Sequence, residues 1–450
     1  MHRIGRYIVQ GILGRGGMSI VYKVAMPITE KIVALKLLSP PEILVDMMGK
    51  EELRRLFVAE ALTMAAIRHP AVADVWDFDE HQGWPFFVME YFCNNLGVVI
   101  GEKAETEKRS RTLGPEKVFH YLAQVLDGLS CLHQAGIIHR DIKPFNILIT
   151  DQDLVKIADF GLSTLHGESL PRTSRHIKVG SPFYAAPEQE EAPDRIDLRA
   201  DLFSVGVMAF RLLTGGLPFV NPGLSEVAPL WRVFLRKALE RDPKERFASA
   251  GVMLAELMRL KKRWEEEREN TCMLVVTPHR SSGEAGKIRP IRSQQLKVSP
   301  RDACRAFGLD HLWRPAVYLP NDFQINNDES VFDHTTGLVW QQAGSDYPET
   351  WQQAHQYVEK LNQGRFAGQK NWRLPTVDEL LTLLTEKGTL EDLCINPVFD
   401  RCQRWLWSID RRSGVAAWYV SIDMGFLAWQ DFTCHYYVRA VCSGKSESPG

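Results

Sequence analysis

The chain has 450 residues, of which 45% are hydrophobic and 24% charged, and its formal net charge is −2. This length favours two or three domains of ordinary globular composition. A net charge near zero gives no argument for binding nucleic acid or an acidic membrane surface. No run of about 18 apolar residues is present, so we expect no membrane span. The amino terminus holds no apolar core of signal-peptide length, and we expect a cytoplasmic protein.

Composition divides the chain into three zones and a tail. Residues 1–262 show alternating strand and helix patterns with few polar gaps. Residues 263–300 contain the charge run RWEEEREN followed by Ser, Gly, Pro and basic residues, which is the composition of a flexible linker. Residues 301–443 hold eight of the twelve tryptophans. We expect residues 444–450 to form a disordered tail.

The first elements along the chain surround a glycine-rich stretch, LGRGGMSIVYKV, residues 13–24. The flanking segments YIVQGIL and IVYKVAM predict a hairpin, and KIVALKLL and PFFVMEYF predict further strands. KEELRRLFVAEALTMAAI predicts a helix with one apolar face. A longer helix is predicted for GPEKVFHYLAQVLDGLSCLHQAG, with Pro115 in its first turn and Gly136 at its end. On its own, the glycine pattern is equally consistent with an ordinary turn.

Four polar residues, Asp141, Lys143, Asn146 and Asp159, lie close together in the segments IIHRDIKPFNILI and KIADFGL. Phosphoryl transfer requires Mg²⁺ held by an acid and an amide, and a carboxylate that orients the attacking hydroxyl. It also requires a cation beside the moving phosphate. These four residues supply that set.

The two segments resemble the catalytic loop and the metal-binding motif of the eukaryotic-like (Hanks-type) protein kinase family. The resemblance covers about residues 1–260, and the glycine-rich stretch is most similar to that of bacterial members. It implies a bilobal kinase fold, ATP and Mg²⁺ as cofactors, and protein substrates. Lysine two residues after the catalytic aspartate is typical of Ser/Thr kinases, so the resemblance implies transfer of the γ-phosphate to Ser/Thr hydroxyls.

The resemblance also implies a role for each matching position. Asp141 would orient the substrate hydroxyl, and Lys143 would neutralise the γ-phosphate. Lys36 would bind the α- and β-phosphates while paired with Glu60, and Asn146 and Asp159 would hold Mg²⁺. The implied nucleotide-binding residues are Leu13, Gly14, Gly16, Gly17, Ser19, Val21, Lys36, Met89, Glu90, Phe92, Asn146 and Asp159.

Serine at position 19, where the family carries a third glycine, is acceptable because backbone N–H groups make the phosphate contacts.

Three further positions have structural roles implied by the resemblance. We expect Glu188 to pair with Arg246 as a buried ion pair, and Asp201 to anchor the backbone of the catalytic loop. The interval between Phe219 and the segment ALERDP has only about 18 residues. In this family it carries an extra helix that docks protein substrates, so a shortened interval puts conventional docking in doubt.

Arg140, beside the catalytic aspartate, predicts activation by a phosphate in the segment between Gly161 and Ala186. Thr173 and Ser174 are the candidate acceptors, and unmodified hydroxyls are the alternative for each. Dimerisation would allow phosphorylation of one copy by another.

The third zone predicts a compact α+β unit. Thr350 and Gln353 form a capping box at the start of one helix, and Gly364 follows its end. Thr376 and Glu379 repeat the capping pattern for a second helix. The segments RWLWSID, AAWYVSID, FLAWQ and YYVRAVC predict short aromatic strands after the helices.

The motifs TGLVWQ, NWRLPTVDELL, WSID, AWYV and VRAVC, spread over about residues 325–443, resemble the bacterial Lcl C-terminal-type domain. We place that domain near C-type-lectin-like folds. The resemblance implies a glycan, peptide or small-molecule ligand for a sensor or binding domain. The alternative is that the tryptophans are core, as aromatic residues of such domains usually are. We expect Trp372 and Arg373 to be structural.

Cys394, Cys402, Cys434 and Cys442 have spacings that do not match a zinc site. We expect buried free thiols, with a disulfide or a redox-responsive pair as the alternative.

The sequence therefore predicts an α+β protein with a kinase domain, a linker and a small aromatic-rich domain. The leading hypothesis is an active Ser/Thr protein kinase regulated or targeted by its C-terminal domain. An ATP-binding scaffold with little transfer activity and a small-molecule phosphotransferase are the alternatives. The segment GSPFYAAPE, which ends in Ala186, Pro187 and Glu188, resembles the substrate-docking and anchor segment of the family. It argues against the small-molecule phosphotransferase.

Overall fold

A computed structural model of the chain describes residues 2–102, 108–159, 164–165, 183–191, 196–219, 223–272, 291–386, 394–400 and 402–443. The chain divides into two compact units, Met1–Glu269 and Asn270–Gly450. Both units mix helices with sheets, which confirms the predicted α+β, two-domain fold class. In the described ranges, we find no helix with the length and apolarity needed to cross a membrane.

The amino-terminal lobe of the first unit is a six-stranded antiparallel sheet with two helices. The strands follow the spatial order β1-β2-β3-β4-β6-β5, and alternate side chains such as Val24, Val33, Leu35 and Phe86 are buried on its core face. The elements are β1 (Arg3–Ile4), β2 (Tyr7–Arg15), β3 (Ser19–Ala25), β4 (Ile32–Leu38), α1 (Glu42–Met48), α2 (Lys50–Ala66), β5 (Val75–His81) and β6 (Trp84–Glu90).

The carboxy-terminal lobe of this unit is mainly helical, with short strands before, within and after the segment from Asp141 to Asp159. Helix α4 has Pro115 at its first position and is followed by Gly136 in the left-handed region, as predicted. Helix α6 is buried along most of its length and forms the centre of the lobe. The elements are β7 (Asn94–Asn95), α3 (Leu96–Ile100), α4 (Pro115–Gln134), β8 (Ile137–Ile138), β9 (Ile147–Ile149), β10 (Val155–Ile157), β11 (Thr164–Leu165), α5 (Pro187–Glu191), α6 (Arg199–Thr214), α7 (Pro229–Ala238) and α8 (Ala250–Cys272).

The segment predicted to be a linker, 263–300, is structured at both ends. Its charge run continues α8 without a break, because Lys261 and Lys262 pair with Glu265 and Glu266 one turn later along the helix. Residues 291–298 belong to the second unit and pack on the rest of it through backbone and side-chain hydrogen bonds. Residues 273–290 lie outside the described part of the chain.

Residues 291–386, 394–400 and 402–443 of the second unit hold two antiparallel sheets and three α-helices. One sheet has the order β12-β13-β14-β18 and the other β15-β16-β17. The elements are α9 (Ala303–Ala306), β12 (Phe323–Ile325), β13 (Ser330–Asp333), β14 (Leu338–Gln341), α10 (Trp351–Gly364), α11 (Val377–Thr382), β15 (Trp405–Arg411), β16 (Ala416–Ser421), β17 (Phe426–Asp431) and β18 (Val441–Ser443).

Both predicted capping boxes are present at the starts of α10 and α11. Two details of the prediction were wrong. Gly364 is the last residue of α10, and Arg365, at φ 51°, ends the helix in the left-handed region. The unit also has strands before the two predicted helices, because the turn TTG between β13 and β14 closes a hairpin over the segment VFDHTTGLVW.

The tryptophans of the second unit are mostly core, as the alternative prediction stated. Six of the eight are buried, at 7% exposure or less, and only Trp313 and Trp429 are partly exposed. Among the cysteines, Cys394 and Cys442 are buried free thiols, and burial raises the pKa of Cys442 to about 12. Cys402 is a free thiol but is exposed, so burial was wrongly predicted for it. Cys434 is buried.

Arg373 and Glu379 form a bidentate ion pair at the start of α11. Arg373 Nη1 lies 2.6 Å from Glu379 Oε2, and Glu379 is fully buried. The indole of Trp372 donates to the carbonyl of Phe366 and is also buried. Trp372 and Arg373 therefore have structural roles, as expected.

We predict that Arg373→Met lowers the free energy of unfolding of this unit by about 2–3 kcal/mol, because Glu379 stays buried without its cation. Urea denaturation of the full chain, followed by tryptophan fluorescence, measures this change. Arg305→Met is the control, since its pair with Asp302 is solvent-exposed and contributes little. The double variant Arg373→Met/Glu379→Gln should lose less than the single variant. A single variant as stable as the unchanged chain would contradict the prediction.

Candidate active site

The amino group of Lys36 lies between two carboxylates from different parts of the first unit. Lys36 is on β4, in the middle of the sheet, where it pairs with Val21 and Phe87. Its Nζ lies 2.6 Å from Glu60 Oε1 on α2 and 2.9 Å from Asp159 Oδ1, which follows β10. The ion pair expected between Lys36 and Glu60 is present, and it includes Asp159 as a third member.

The three charges shift one another's pKa values. Burial lowers the pKa of Lys36, but the two carboxylates outweigh burial and raise it. The charge of Lys36 lowers the pKa of Asp159 to about 2. Burial raises the pKa of Glu60 despite its contact with Lys36. Because its pKa is depressed, Asp159 contributes stability above the pKa of an unfolded aspartate, and this is lost only as pH falls through about 2.

The residues of the catalytic-loop motif converge on Asp141. Lys143 Nζ lies 2.6 Å from Asp141 Oδ2, and Asn146 Nδ2 donates to the same oxygen at 2.9 Å and to the Asp141 carbonyl at 2.8 Å. Asp141 is 9% exposed, so its carboxylate is aligned by neighbours yet open to a small group. Such a carboxylate, with a cation beside it, can orient a hydroxyl and accept its proton.

Asn146 and Asp159 fit a Mg²⁺ site. The backbone N–H of Ala158 donates a hydrogen bond to the carbonyl of Asn146, with 3.0 Å between nitrogen and oxygen. This bond holds the segment before Asp159 against the catalytic loop. Because Asn146 Nδ2 faces Asp141, its amide oxygen points away from that carboxylate. Asp159 is ionised at neutral pH, and its side chain is half exposed. An amide oxygen and a carboxylate are ligands that Mg²⁺ takes together with phosphate oxygens and water.

Asp201, fully buried at the start of α6, holds the catalytic loop through its backbone. Its two carboxylate oxygens accept the N–H groups of His139 at 2.9 Å and Arg140 at 2.8 Å, and Oδ2 also contacts His133 Nε2 at 2.8 Å. Burial raises the pKa of Asp201, but these contacts outweigh burial and lower it. The expected anchor is present, and it fixes Arg140 at a left-handed φ of 68°.

The guanidinium of Arg140 is buried, and among described residues its Nε and Nη1 have no hydrogen-bond partner. Burial lowers the pKa of Arg140. A buried guanidinium with two nitrogens that lack hydrogen-bond partners in the described part of the chain fits an anion brought by another segment. The acceptors predicted for that anion, Thr173 and Ser174, lie outside the described residues, as do Phe160 and Gly161 of the metal-binding motif.

The glycine-rich stretch is the turn of the β2–β3 hairpin. Gly14 pairs with Val21, and the N–H of Gly16 donates to the carbonyl of Ser19 at 2.8 Å. Ser19 is 6% exposed, so its side chain turns inward at the start of β3 and leaves the outer side of the turn to the backbone. Leu13 is exposed beside it at 44%.

Three predicted nucleotide-binding residues lie at the end of β6. Met89 pairs with Ala34 of β4 and Val75 of β5, and Glu90 ends the strand. Met89, Glu90 and Phe92 are each partly exposed, as residues that line a cleft would be.

The predicted pair Glu188–Arg246 is present. The guanidinium of Arg246 is bidentate, at 2.6 and 2.8 Å from the two carboxylate oxygens, and its side chain is fully buried. It also donates to the carbonyls of Arg199, Glu240 and Arg241, so it joins α5 to the start of α6 and to the loop after α7.

The described part of the shortened interval after Phe219 holds one 3₁₀ turn and the helix α7. Residues 223–226 form one 3₁₀ turn, and α7 begins at Pro229. Val233, on α7, is 71% exposed.

A buried cluster that the sequence did not reveal includes Tyr184 of the docking segment. Tyr184 donates its hydroxyl hydrogen to Glu102 Oε1 at 2.6 Å, and Arg211 Nε lies 3.7 Å from the same oxygen. Burial raises the pKa of both Glu102 and Tyr184. Tyr184 stands in the recognisable segment GSPFYAAPE, but Glu102 stands in a polar stretch with no pattern. The cluster fixes Tyr184 in place.

With this geometry described, the sequence was compared with known proteins. The profile of the protein kinase domain matches residues 7–258, more than half of the chain. This chain belongs to the protein kinase family. The profile of the Lcl C-terminal domain matches residues 329–442, which confirms the second resemblance.

Among curated proteins, a probable serine/threonine-protein kinase of Streptomyces coelicolor is 32% identical over 277 residues, 56% of this chain and 39% of that relative. The serine/threonine-protein kinase pkn3 of Myxococcus xanthus is 29% identical over 331 residues, 67% of this chain and 56% of that relative. PknB of Mycolicibacterium smegmatis is 29% identical over 323 residues, 64% and 49% of the two chains. This kinase therefore spans less than two thirds of these relatives' lengths.

We predict that Asp201→Asn lowers the free energy of unfolding of the kinase domain by about 2–3 kcal/mol, because an amide N–H would face a backbone N–H in place of a charged acceptor. The rate of phosphate transfer should fall with it, since the catalytic loop loses its anchor. Thermal unfolding and a transfer assay measure the two effects. Asp197→Asn is the control, because Asp197 is 38% exposed and its Oδ1 caps the N–H of Arg199 in either form. Equal stability of both variants would contradict the prediction.

Proposed function

We propose that this chain is an active Ser/Thr protein kinase that transfers the γ-phosphate of Mg-ATP to Ser/Thr hydroxyls of protein substrates. The observation that carries the proposal is the Lys36 amino group held between Glu60 and Asp159, at 2.6 and 2.9 Å. This arrangement joins the phosphate-binding cation to the metal-binding carboxylate. The family membership and the names of the curated relatives support the same activity.

In this proposal each residue has one task. Lys36 binds the α- and β-phosphates, and Glu60 holds its amino group in place. Asp141 orients the substrate hydroxyl and takes its proton, while Lys143, 2.6 Å from Asp141, neutralises charge on the transferred group. Mg²⁺, held by Asn146 and Asp159, supplies charge neutralisation for the phosphates.

The remaining nucleotide contacts come from two edges of the cleft. The backbone of the β2–β3 turn covers the phosphates, and the end of β6, with Met89, Glu90 and Phe92, reads adenine. The exposed Leu13 and the strand residue Val21 contact the nucleotide from the sheet side.

We predict that Asp141→Asn lowers the transfer rate at least about 100-fold, because the amide cannot accept the hydroxyl proton. Nucleotide affinity should stay close to that of the unchanged chain, since Asp141 does not bind the nucleotide. Incubation of the purified chain with Mg-ATP and a generic protein substrate, read by mass spectrometry, measures transfer, and calorimetry measures binding. Asp127→Asn, whose carboxylate is 62% exposed on α4, is the matched control.

Nucleotide binding without transfer in the unchanged chain would favour the ATP-binding scaffold instead. The short interval after Phe219 is the observation that favours this second candidate, because it leaves no docking helix in residues 223–228. Transfer to small molecules but not to proteins would favour a small-molecule phosphotransferase.

We also propose that a phosphate on Thr173 or Ser174 activates the kinase by pairing with Arg140. The buried guanidinium, with two nitrogens lacking partners among described residues, supports this. Phosphorylation of one copy by another would deliver the phosphate, so a transient dimer is part of the proposal.

We predict that incubation with Mg-ATP raises the transfer rate at least about tenfold, the equivalent of one charge-assisted hydrogen bond. The variant Arg140→Gln should take up the same phosphate without this increase, because the amide offers the phosphate no charge. Phosphorylation stoichiometry and initial rates, measured side by side, make the comparison. The variant Thr173→Ala/Ser174→Ala should also show no increase. An Arg140→Gln chain that is still activated would contradict the role of Arg140.

The C-terminal domain is proposed to bind a ligand and to regulate or target the kinase domain in the cytoplasm. It is a compact unit with its own core, and its two partly exposed tryptophans offer aromatic surface for a glycan, peptide or small molecule. At one of these, the guanidinium carbon of Arg412 lies 3.5 Å from the ring centroid of Trp429. Titrating such ligands against the full chain, with the transfer rate as readout, tests for regulation.

A further inference from the structure

Residues 291–298, defined here as the strap, form an added edge of the C-terminal domain. The N–H of Val298 donates to the carbonyl of Arg411 at 2.9 Å, and the N–H of Arg411 donates to the carbonyl of Leu296 at 2.8 Å. This is a parallel bridge to the end of β15. The indole of Trp418 donates to the carbonyl of Val298, and the Val298 side chain joins the core of the domain.

The strap is held at its start by one cation and two carboxylates. Arg292 Nη1 and Nη2 lie 3.0 and 2.7 Å from the two oxygens of Asp410, and Arg292 Nε lies 2.7 Å from Asp378 Oδ2. Asp410 is fully buried, and it also accepts the N–H groups of Leu296 at 2.6 Å and Val377 at 2.7 Å. One positive and two negative charges leave this cluster with a net charge of −1.

Ser293 is exposed directly after the cation of this cluster. Residues 294–297 are also exposed, so Ser293 lies in an accessible stretch of the chain. The other serine near the strap, Ser299, donates its hydroxyl hydrogen to Asp302 at 2.7 Å. Ser293 is thus the hydroxyl of this stretch that combines exposure with proximity to the charged cluster.

We propose that Ser293 is phosphorylated by the kinase domain of this same protein, and that the phosphate keeps the strap released from the C-terminal domain. The inference rests on the proposed kinase function. In the transfer, the bond from the γ-phosphorus to its bridging oxygen breaks and a bond to Ser293 Oγ forms. The hydroxyl proton passes to the Asp141 carboxylate and ADP leaves.

Release follows from the charges. A phosphoserine adds nearly two negative charges beside a cluster that already carries −1, so it is repelled by Asp378 and Asp410. It also competes for Arg292, because phosphate binds a guanidinium in the same bidentate manner as a carboxylate. Loss of Arg292 would leave the carboxylate of Asp410 buried without a cation, which disfavours the docked strap.

Phosphorylation of Ser293 would also indicate whether the strap is docked on the C-terminal domain or detached from it. An extended peptide enters a kinase site only when its backbone is free, so Ser293 is a substrate when the strap is detached. The phosphate then prevents the strap from docking again. Anything that stabilises the docked strap would slow this phosphorylation.

The first experiment installs phosphoserine at position 293 of the full chain during expression and measures amide hydrogen exchange. Protection of the amides of Leu296, Val298 and Arg411 should fall at least about tenfold, because local opening becomes easier. Arg292→Gln without phosphate should produce the same loss. Adding Asp378→Asn to the phosphorylated chain should restore part of the protection, since one repelling charge is gone. Ser293→Ala should match the unchanged chain. Unaltered protection in the phosphorylated chain would overturn strap release.

The second experiment incubates the full chain with Mg-ATP and maps phosphate by mass spectrometry, with Asp141→Asn as control. Phosphate on Ser293 in the unchanged chain alone supports the proposal. Phosphate on Thr173, Ser174 or a generic substrate, but never on Ser293, would overturn the site while leaving the kinase function intact. A chain that phosphorylates nothing would overturn the kinase function and, with it, the assignment of Ser293.

Discussion

The buried amino group of Lys36 is the constraint on which the rest of the kinase domain depends. A buried cation is tolerated only with its partners in place, and here the partners come from α2 and from the end of β10. The sheet, the helix α2 and the segment that carries Asp159 therefore have to reach their final positions together. The charge of Lys36 also keeps Asp159 ionised, so the carboxylate proposed to hold Mg²⁺ needs no proton loss when the nucleotide arrives.

In both domains a buried aspartate holds an irregular segment of the chain through backbone hydrogen bonds. Asp201 accepts two backbone N–H groups from the irregular catalytic loop, and Asp410 accepts two from the strap and the start of α11. In each case a segment without regular secondary structure is held by a carboxylate on a regular element. The two aspartates differ in the groups that balance their negative charge. Asp201 is surrounded by imidazoles and N–H groups, whereas Asp410 depends on Arg292, which belongs to the segment being held.

Local patterns explain which parts of the structure were predictable from the sequence. The capping boxes at Thr350 and Thr376, the strands beside the glycine turn and the residues around Asp141 depend on neighbours within a few positions. The cluster of Arg292 with Asp410 joins residues 118 positions apart, and no pattern links them. Glu102 was missed for the same reason. The start of the expected linker was misjudged because charge runs, read as solvated chain, also extend a helix when opposite charges lie four residues apart.

The distribution of tryptophans gives the two domains different optical properties. The kinase domain has four tryptophans, of which only Trp231 is buried, whereas six of the eight in the C-terminal domain are enclosed by core side chains. An indole shielded from water emits at shorter wavelength than a solvated one. The blue part of the chain's intrinsic emission therefore comes mainly from the C-terminal domain. When this short-wavelength emission shifts to longer wavelength during denaturation, the shift reports the opening of the core of the C-terminal domain. No dye or label is needed.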